Sequence, residues 1–199
     1  MKLTRRDLVW IVPSGIAAAF FGWFGWRTVR IQFLKTHAEL EPTWHEGERM
    51  PLGAVGELAQ PWDFKYFDYP FLTGHLPAVL LRLPGPVPGG LSVGEAHFAA
   101  WSRICTHQGC TVDYVRNTEA GAILYNYRSD HPFFGCKCHF GAFDPVQAGK
   151  AVFGPPQYPL PRVRLEAEGD ELFATGYEVP LRPLQGRAPL RTMGGSRRV

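Results

Sequence analysis

Two stretches decide the reading of this chain: Cys105-Thr106-His107-Gln108-Gly109-Cys110 and Cys136-Lys137-Cys138-His139, which between them hold all four cysteines. Each offers a thiol and an imidazole two or three residues apart, with one cysteine left over. Thiolates and imidazoles bind both zinc and iron, and leftover cysteines can pair. On donor type alone a structural zinc site, an iron–sulfur cluster of mixed ligation and a metal-free disulfide pair all stay open. Structural zinc sites usually repeat a Cys-x2-4-Cys knuckle. Here the halves are asymmetric, one opening Cys-x-His and the other running Cys-x-Cys-His.

That order and spacing resemble the Rieske iron–sulfur proteins, whose boxes read Cys-Thr-His-x-Gly-Cys and Cys-x-Cys-His. The resemblance implies one 2Fe-2S cluster per chain. Cys105 and Cys136 would hold the inner iron, His107 and His139 the outer one, and Cys110 would bond to Cys138. The extra cysteine pair is absent from oxygenase-type ferredoxins and points to the respiratory kind. Phe153-Gly154-Pro155-Pro156 is similar to the family's proline loop, so Gly154, Pro155 and Pro156 are expected to cover the cluster from a third side. The implied function is that of a redox subunit, not an enzyme alone. His107 or His139 contacts quinol and accepts its proton, and the electron passes to a cytochrome c-type haem in a complex that also contains cytochrome b.

Three departures from the family pattern stand out. Where many members carry Ser and Tyr hydroxyls after the second box, this chain has Gly141 and Phe143. Hydroxyl hydrogen bonds to sulfur disperse the charge of the reduced state, so their loss predicts a potential toward the lower part of the range of about −150 to +300 mV. That suits a low-potential donor such as menaquinol. Gln108 replaces a residue that is often apolar, and the stretch between the boxes, residues 111–135, is longer than the family leads one to expect.

Outward from the boxes, the pattern from residue 51 is β-like. Ala78-Val79-Leu80-Leu81-Arg82-Leu83, residues 97–104, Ala122–Tyr127, Val163–Ala167 and Glu171–Thr175 read as strands, punctuated by clusters such as Pro84–Gly90 and by Gly169-Asp170. The expected fold is all-β: a Rieske-type antiparallel β sandwich over 51–185, with a cluster-binding lobe at about 101–161 and one transmembrane helix before it. His37, His45, His75, His97 and His131 have no ligand partners at useful spacing and are assigned ordinary surface or hydrogen-bonding roles.

Leu8–Trp26 carries no charge. At about 1.5 Å per residue a helix of that length crosses the roughly 30 Å hydrocarbon layer, and Trp10, Trp23 and Trp26 fall near its ends where indoles favour the interface. An uncleaved anchor is favoured over a signal peptide, because Ala17-Ala18-Ala19 is followed by further apolar sequence. Lys2, Arg5 and Arg6 balance Arg27, Arg30 and Lys35, so flanking charge decides little. Thr4-Arg5-Arg6-Asp7-Leu8 is similar to a twin-arginine export signal. The reading is a single-pass protein of the bacterial inner membrane, residues 1–7 cytoplasmic, 8–26 spanning, 27–50 a stalk that lets the head swing, and the head on the periplasmic side where a disulfide survives. Residues 186–199 read as a basic disordered tail. The chain has 199 residues and a net charge of +3, and its basic residues form no stripe, so nucleic acid is not a partner.

Two other readings compete. One is the exported small Rieske subunit of an arsenite-oxidase-like molybdenum enzyme, whose second box can continue His-Phe as in His139-Phe140 and which also resembles Pro161-Arg162-Val163. The other is a zinc-stabilised binding module.

Overall fold

A computed structural model describes residues 4–32, 43–71 and 74–179. Thr4 opens helix α1 (Arg5–Gln32): its hydroxyl accepts from the Asp7 N–H while the Asp7 carboxylate accepts from the Thr4 N–H at 2.9 Å, a reciprocal cap. Trp10, Phe21 and Trp26 stand out from the helix, mostly exposed. A helix that is apolar all round and packs on no other described residue suits lipid, and Arg6–Arg30 is long and apolar enough to cross a bilayer.

The helix also takes in the first part of the stretch expected as stalk. Residues 27–32 stay helical, and the Thr28 hydroxyl bonds back to the Phe24 carbonyl at 3.0 Å. The other end of that stretch is also structured, because Trp44 already begins a strand. Its Glu46 and Glu48, which read as linker, are polar because they lie on a sheet edge: Glu46 meets Arg164, and the neighbouring Arg49 meets Glu168. Residues 33–42 of the stalk, His37 and the tail at 186–199 lie outside the described residues.

The strands are β1 (Trp44–Ala54), β2 (Phe64–Phe71), β3 (Gly74–Leu83), β4 (Leu91–Val93), β5 (Ala96–Ser102), β6 (Asp113–Val115), β7 (Phe133–Cys136), β8 (Gly141–Asp144), β9 (Lys150–Phe153), β10 (Arg162–Glu168) and β11 (Glu171–Glu178). All pairings are antiparallel. The larger sheet runs β1-β11-β10-β5-β3-β2 with β4 added beside β5, and the smaller runs β6-β7-β8-β9.

The centre of the large sheet is buried on both faces, which is why β3 reads as an unbroken apolar run instead of an alternating one. On one face Ala78, Leu80, Phe98, Ala100 and Val163 build a core with Leu52, Tyr69 and Leu172. On the other, Val79, Leu81, Ala99 and Trp101 pack against Val112, Phe134, Phe143 and Leu160 of the smaller lobe, and Cys105 and Cys136 belong to that same core. The chain leaves the large sheet after Ser102 and re-enters at Arg162, where Ser102 N–H donates to the Pro161 carbonyl at 2.8 Å. A buried ion pair holds this neck: Arg162 donates from Nε and Nη2 to the two Glu178 oxygens at 2.9 and 3.0 Å, and from Nη1 to the Pro88 carbonyl.

Ala122–Tyr127, expected as a strand, is instead the end of helix α2 (Thr118–Tyr125). Asn117 caps it, its side chain accepting from the Ala120 N–H at 2.9 Å, and Asn126 closes it in the left-handed conformation at φ 52°. Gly121 and Tyr125, four apart, face inward while Ile123 and Leu124 face out. A six-residue apolar run, Ala120–Tyr125, does not reveal its period; the two asparagines carry the helical signal.

Candidate metal centre

The first box is a closed turn at the end of β5. Cys105 N–H donates to the Cys110 carbonyl at 2.7 Å, Gly109 N–H returns to Cys105 at 2.9 Å, and Gly109 sits at φ 80°, where glycine carries no Cβ penalty. The Thr106 hydroxyl reaches across to the Tyr158 carbonyl at 2.8 Å, tying this turn to the segment after the proline loop. The second box is the turn of the β7–β8 hairpin, whose last pair is Cys136 opposite Gly141.

A disulfide joins Cys110 to Cys138 and so clamps the two turns together. The proline loop closes over the second turn. A Cβ on Gly154 would lie 2.7 Å from the Phe140 carbonyl oxygen, and one on Gly141 would lie 2.7 Å from Pro156 Cγ. Both approaches need glycine. Phe140, at φ 55°, holds a left-handed conformation with its ring 53% exposed.

Cys105 and Cys136 are the free cysteines, both buried, and the His107 and His139 rings lie 4.8 Å apart at 85°. The two thiols form one hydrogen-bonded pair. Cys136 is lowered to about 6, first by the hydrogen bond from Cys105 and then by N–H groups of Cys138 and His139. Cys105 is raised, first by Cys136 and then by burial, although the N–H groups of His107 and Gln108 point to it. Sulfurs that already receive backbone N–H bonds are prepared to carry charge.

The sulfurs of Cys110, Cys136 and Cys138 also lie within 4.8 Å of one another. Two of them are spent in the disulfide, so this trio is no ligand set. The donor set that fits a mixed-ligand 2Fe-2S cluster is two buried thiols beside two converging imidazoles on disulfide-clamped turns. His139 is exposed and His107 half-buried, which puts the imidazoles at the rim and the thiols inside.

Three of the remaining histidines are engaged elsewhere. His45 packs on Tyr177, His97 Nδ1 bonds Ser92 Oγ at 2.8 Å, and His131 stacks on Trp62 with centroids 5.4 Å apart. Two contributors are not legible in the sequence: Asp113 and Tyr125. Asp113 lies 2.7 Å from Lys137 Nζ and 3.5 Å from Arg103 Nη2, and the Tyr125 hydroxyl hydrogen-bonds it. Pairing across three segments leaves no local motif.

Comparison with known proteins agrees with this site. Residues 79–164, from β3 into β10, match the model of the Rieske [2Fe-2S] domain. The chain is 33% identical over 145 residues to the cytochrome bc1 complex Rieske iron-sulfur subunit of Streptomyces lividans, covering 65% of this chain and 75% of that protein. It is 37% identical over 82 residues to a putative respiratory nitrate reductase subunit Rieske of Haloferax mediterranei, covering 41% of this chain and 31% of the relative. It is 28% identical over 131 residues to the iodate reductase subunit IdrB of a Pseudomonas species, covering 64% and 59%. The chain thus spans less than two thirds of the reductase relatives. The soluble domain of the Rieske protein II (soxF) from Sulfolobus acidocaldarius shares the fold, with a TM-score of 0.51 at 19% identity, over 67% of this chain and 79% of that one. Together the boxes, the fold and the Streptomyces relative identify the chain as a member of the Rieske 2Fe-2S iron–sulfur protein family, an electron-transfer subunit.

Proposed function

We propose that this Rieske subunit takes one electron and one proton from a quinol and delivers the electron to a cytochrome c-type haem in a membrane-bound bc-type complex. The observation that carries the reading is the pair of imidazoles at the rim of a disulfide-clamped lobe, on a chain whose N-terminal helix suits a bilayer. Similarity over three quarters of a bc1-complex Rieske subunit supports it.

Cys105 and Cys136 would hold one iron and His107 and His139 the other. Bound there, the cluster supplies one-electron chemistry at a potential raised by its neutral imidazoles. The chain's own residues do the rest. With one ring nitrogen of each imidazole given to iron, the other would be the position at which a proton is exchanged with a quinol hydroxyl. His139, the more exposed of the two, is the better placed for that contact. Phe140 beside it offers an apolar ring to the same side. Gly154, Pro155 and Pro156 keep water from the thiol side. With no hydroxyl at Gly141 or Phe143, the potential is set low, which favours a menaquinol-like donor.

The helix anchors the head, with the N-terminus cytoplasmic and the cluster lobe on the oxidising side of the membrane.

A second reading, the small Rieske subunit of an arsenite-oxidase-like molybdenum enzyme, is favoured by the similarity to subunits of an iodate reductase and a nitrate reductase. Those relatives, too, are named for reactions on oxyanions. Purification of the tagged protein from its native membrane in mild detergent separates the readings. Haems b and c without molybdenum support the quinol-oxidising complex. Molybdenum without haem b overturns the quinol mechanism and leaves the cluster ligands standing.

A further inference from the structure

Asp113 is where three segments around the cysteine boxes meet. It opens β6, directly opposite Gly135, the residue before Cys136. One carboxylate oxygen lies 2.7 Å from Lys137 Nζ, between the two cysteines of the second box, and the other lies 3.5 Å from Arg103 Nη2, two residues before Cys105. The third partner is the hydroxyl of Tyr125, from the helix in the long stretch between the boxes. The Tyr125 ring lies over Gly135, where an added Cβ would meet it at 2.5 Å. Arg103 is itself fixed, its Nε donating to the Val112 carbonyl at 3.0 Å and its guanidinium lying 3.9 Å over the Tyr66 ring.

The Lys137 arm of this arrangement adds little stability. The Lys137 side chain is 73% exposed, and exposed ion pairs contribute little to folding. Position and charge are another matter, because one cation lies two residues before Cys105, another directly follows Cys136, and the Asp113 carboxylate bridges them.

We propose that Asp113 is a positioning residue that sets the charge beside the cluster: it holds Lys137 and Arg103 in place and, by its own negative charge, disfavours the reduced state. The proposal rests on Cys105 and Cys136 being the cluster thiolates, and is independent of whether quinol is the donor. Asp113→Asn removes one negative charge and leaves two positive ones. Lys137→Gln removes a positive charge and leaves Asp113 facing Arg103. The two substitutions therefore move the midpoint potential in opposite directions, whereas simple structural damage does not reverse sign with the charge removed.

The test is a redox titration of the purified, cluster-loaded full chain, followed by the electron paramagnetic resonance signal of the reduced cluster. Loss of one partly screened charge shifts the reduced-to-oxidised ratio at fixed ambient potential by about three- to tenfold. Asp113→Asn raises the midpoint, Lys137→Gln lowers it, and Asp113→Glu stays near the parent. Equal midpoints, or shifts of the same sign, with the cluster signal intact overturn the proposal. Should Asp113→Asn fail to keep its cluster, the lowering by Lys137→Gln supports the proposal and an unmoved potential there overturns it. A parent chain showing no 2Fe-2S signal overturns the ligand assignment, and this inference with it.

Discussion

Replacing both Cys110 and Cys138 by serine isolates the mechanical role of the disulfide. The double substitution is the cleaner perturbation, because the Cys136 sulfur lies within 4.8 Å of both partners and a single serine would leave a spare thiol beside a proposed ligand. The bridge closes a loop with a sequence separation of 28. In the chain-entropy model, closing a loop of that size removes about 12 cal/mol/K from the unfolded ensemble, or about 3.6 kcal/mol at 25 °C. Against a total stability of about 5–15 kcal/mol that is a large share, and it corresponds to an unfolded-to-folded ratio about 400-fold higher. The expected outcome is loss of the visible cluster absorbance at lower urea, with iron lost on dialysis under conditions where the parent retains it. A double variant that bleaches at the parent's urea concentration and keeps its full iron content would refute the view that the disulfide, and not the turns' own hydrogen bonds, keeps the site closed.

Two further substitutions probe the surroundings. Gly141→Ser places its Cβ 2.7 Å from Pro156 Cγ and 3.0 Å from Cδ, so the proline loop must shift; it should cost about 1–3 kcal/mol of stability and raise the potential of whatever cluster remains, and an unchanged melting temperature together with an unchanged potential defeats both halves. Glu178→Gln removes the buried carboxylate facing Arg162 at the neck of the lobe, where both side chains are almost fully enclosed. Breaking such a pair should cost about 3–5 kcal/mol in urea unfolding, and a cost below about 1 kcal/mol would show that the neck does not depend on it.

What the sequence reveals about this protein follows from how local each signal is. The two boxes are legible because the coordination chemistry fixes residue type and spacing within six positions, and Gly169-Asp170 between β10 and β11 is legible because a tight turn needs its own residues. Helix α2 was misread since Ala122-Ile123-Leu124-Tyr125 is equally apolar in either period, and only Asn117 and Asn126 at its ends distinguish helix from strand. The start of β1 is not legible, because an edge strand carrying Glu46, Glu48 and Arg49 has the composition of a linker until Arg164 and Glu168 are in view. Gly141 makes the point most sharply. From sequence it is a missing hydroxyl, an electronic departure from the family pattern. In the fold it is also the cavity that receives Pro156. The same residue lacks the hydroxyl and leaves the space into which Pro156 packs, so the proposed low potential and the close approach of the proline loop belong to one position. A serine cannot supply a hydroxyl here without displacing Pro156 and the loop that carries it.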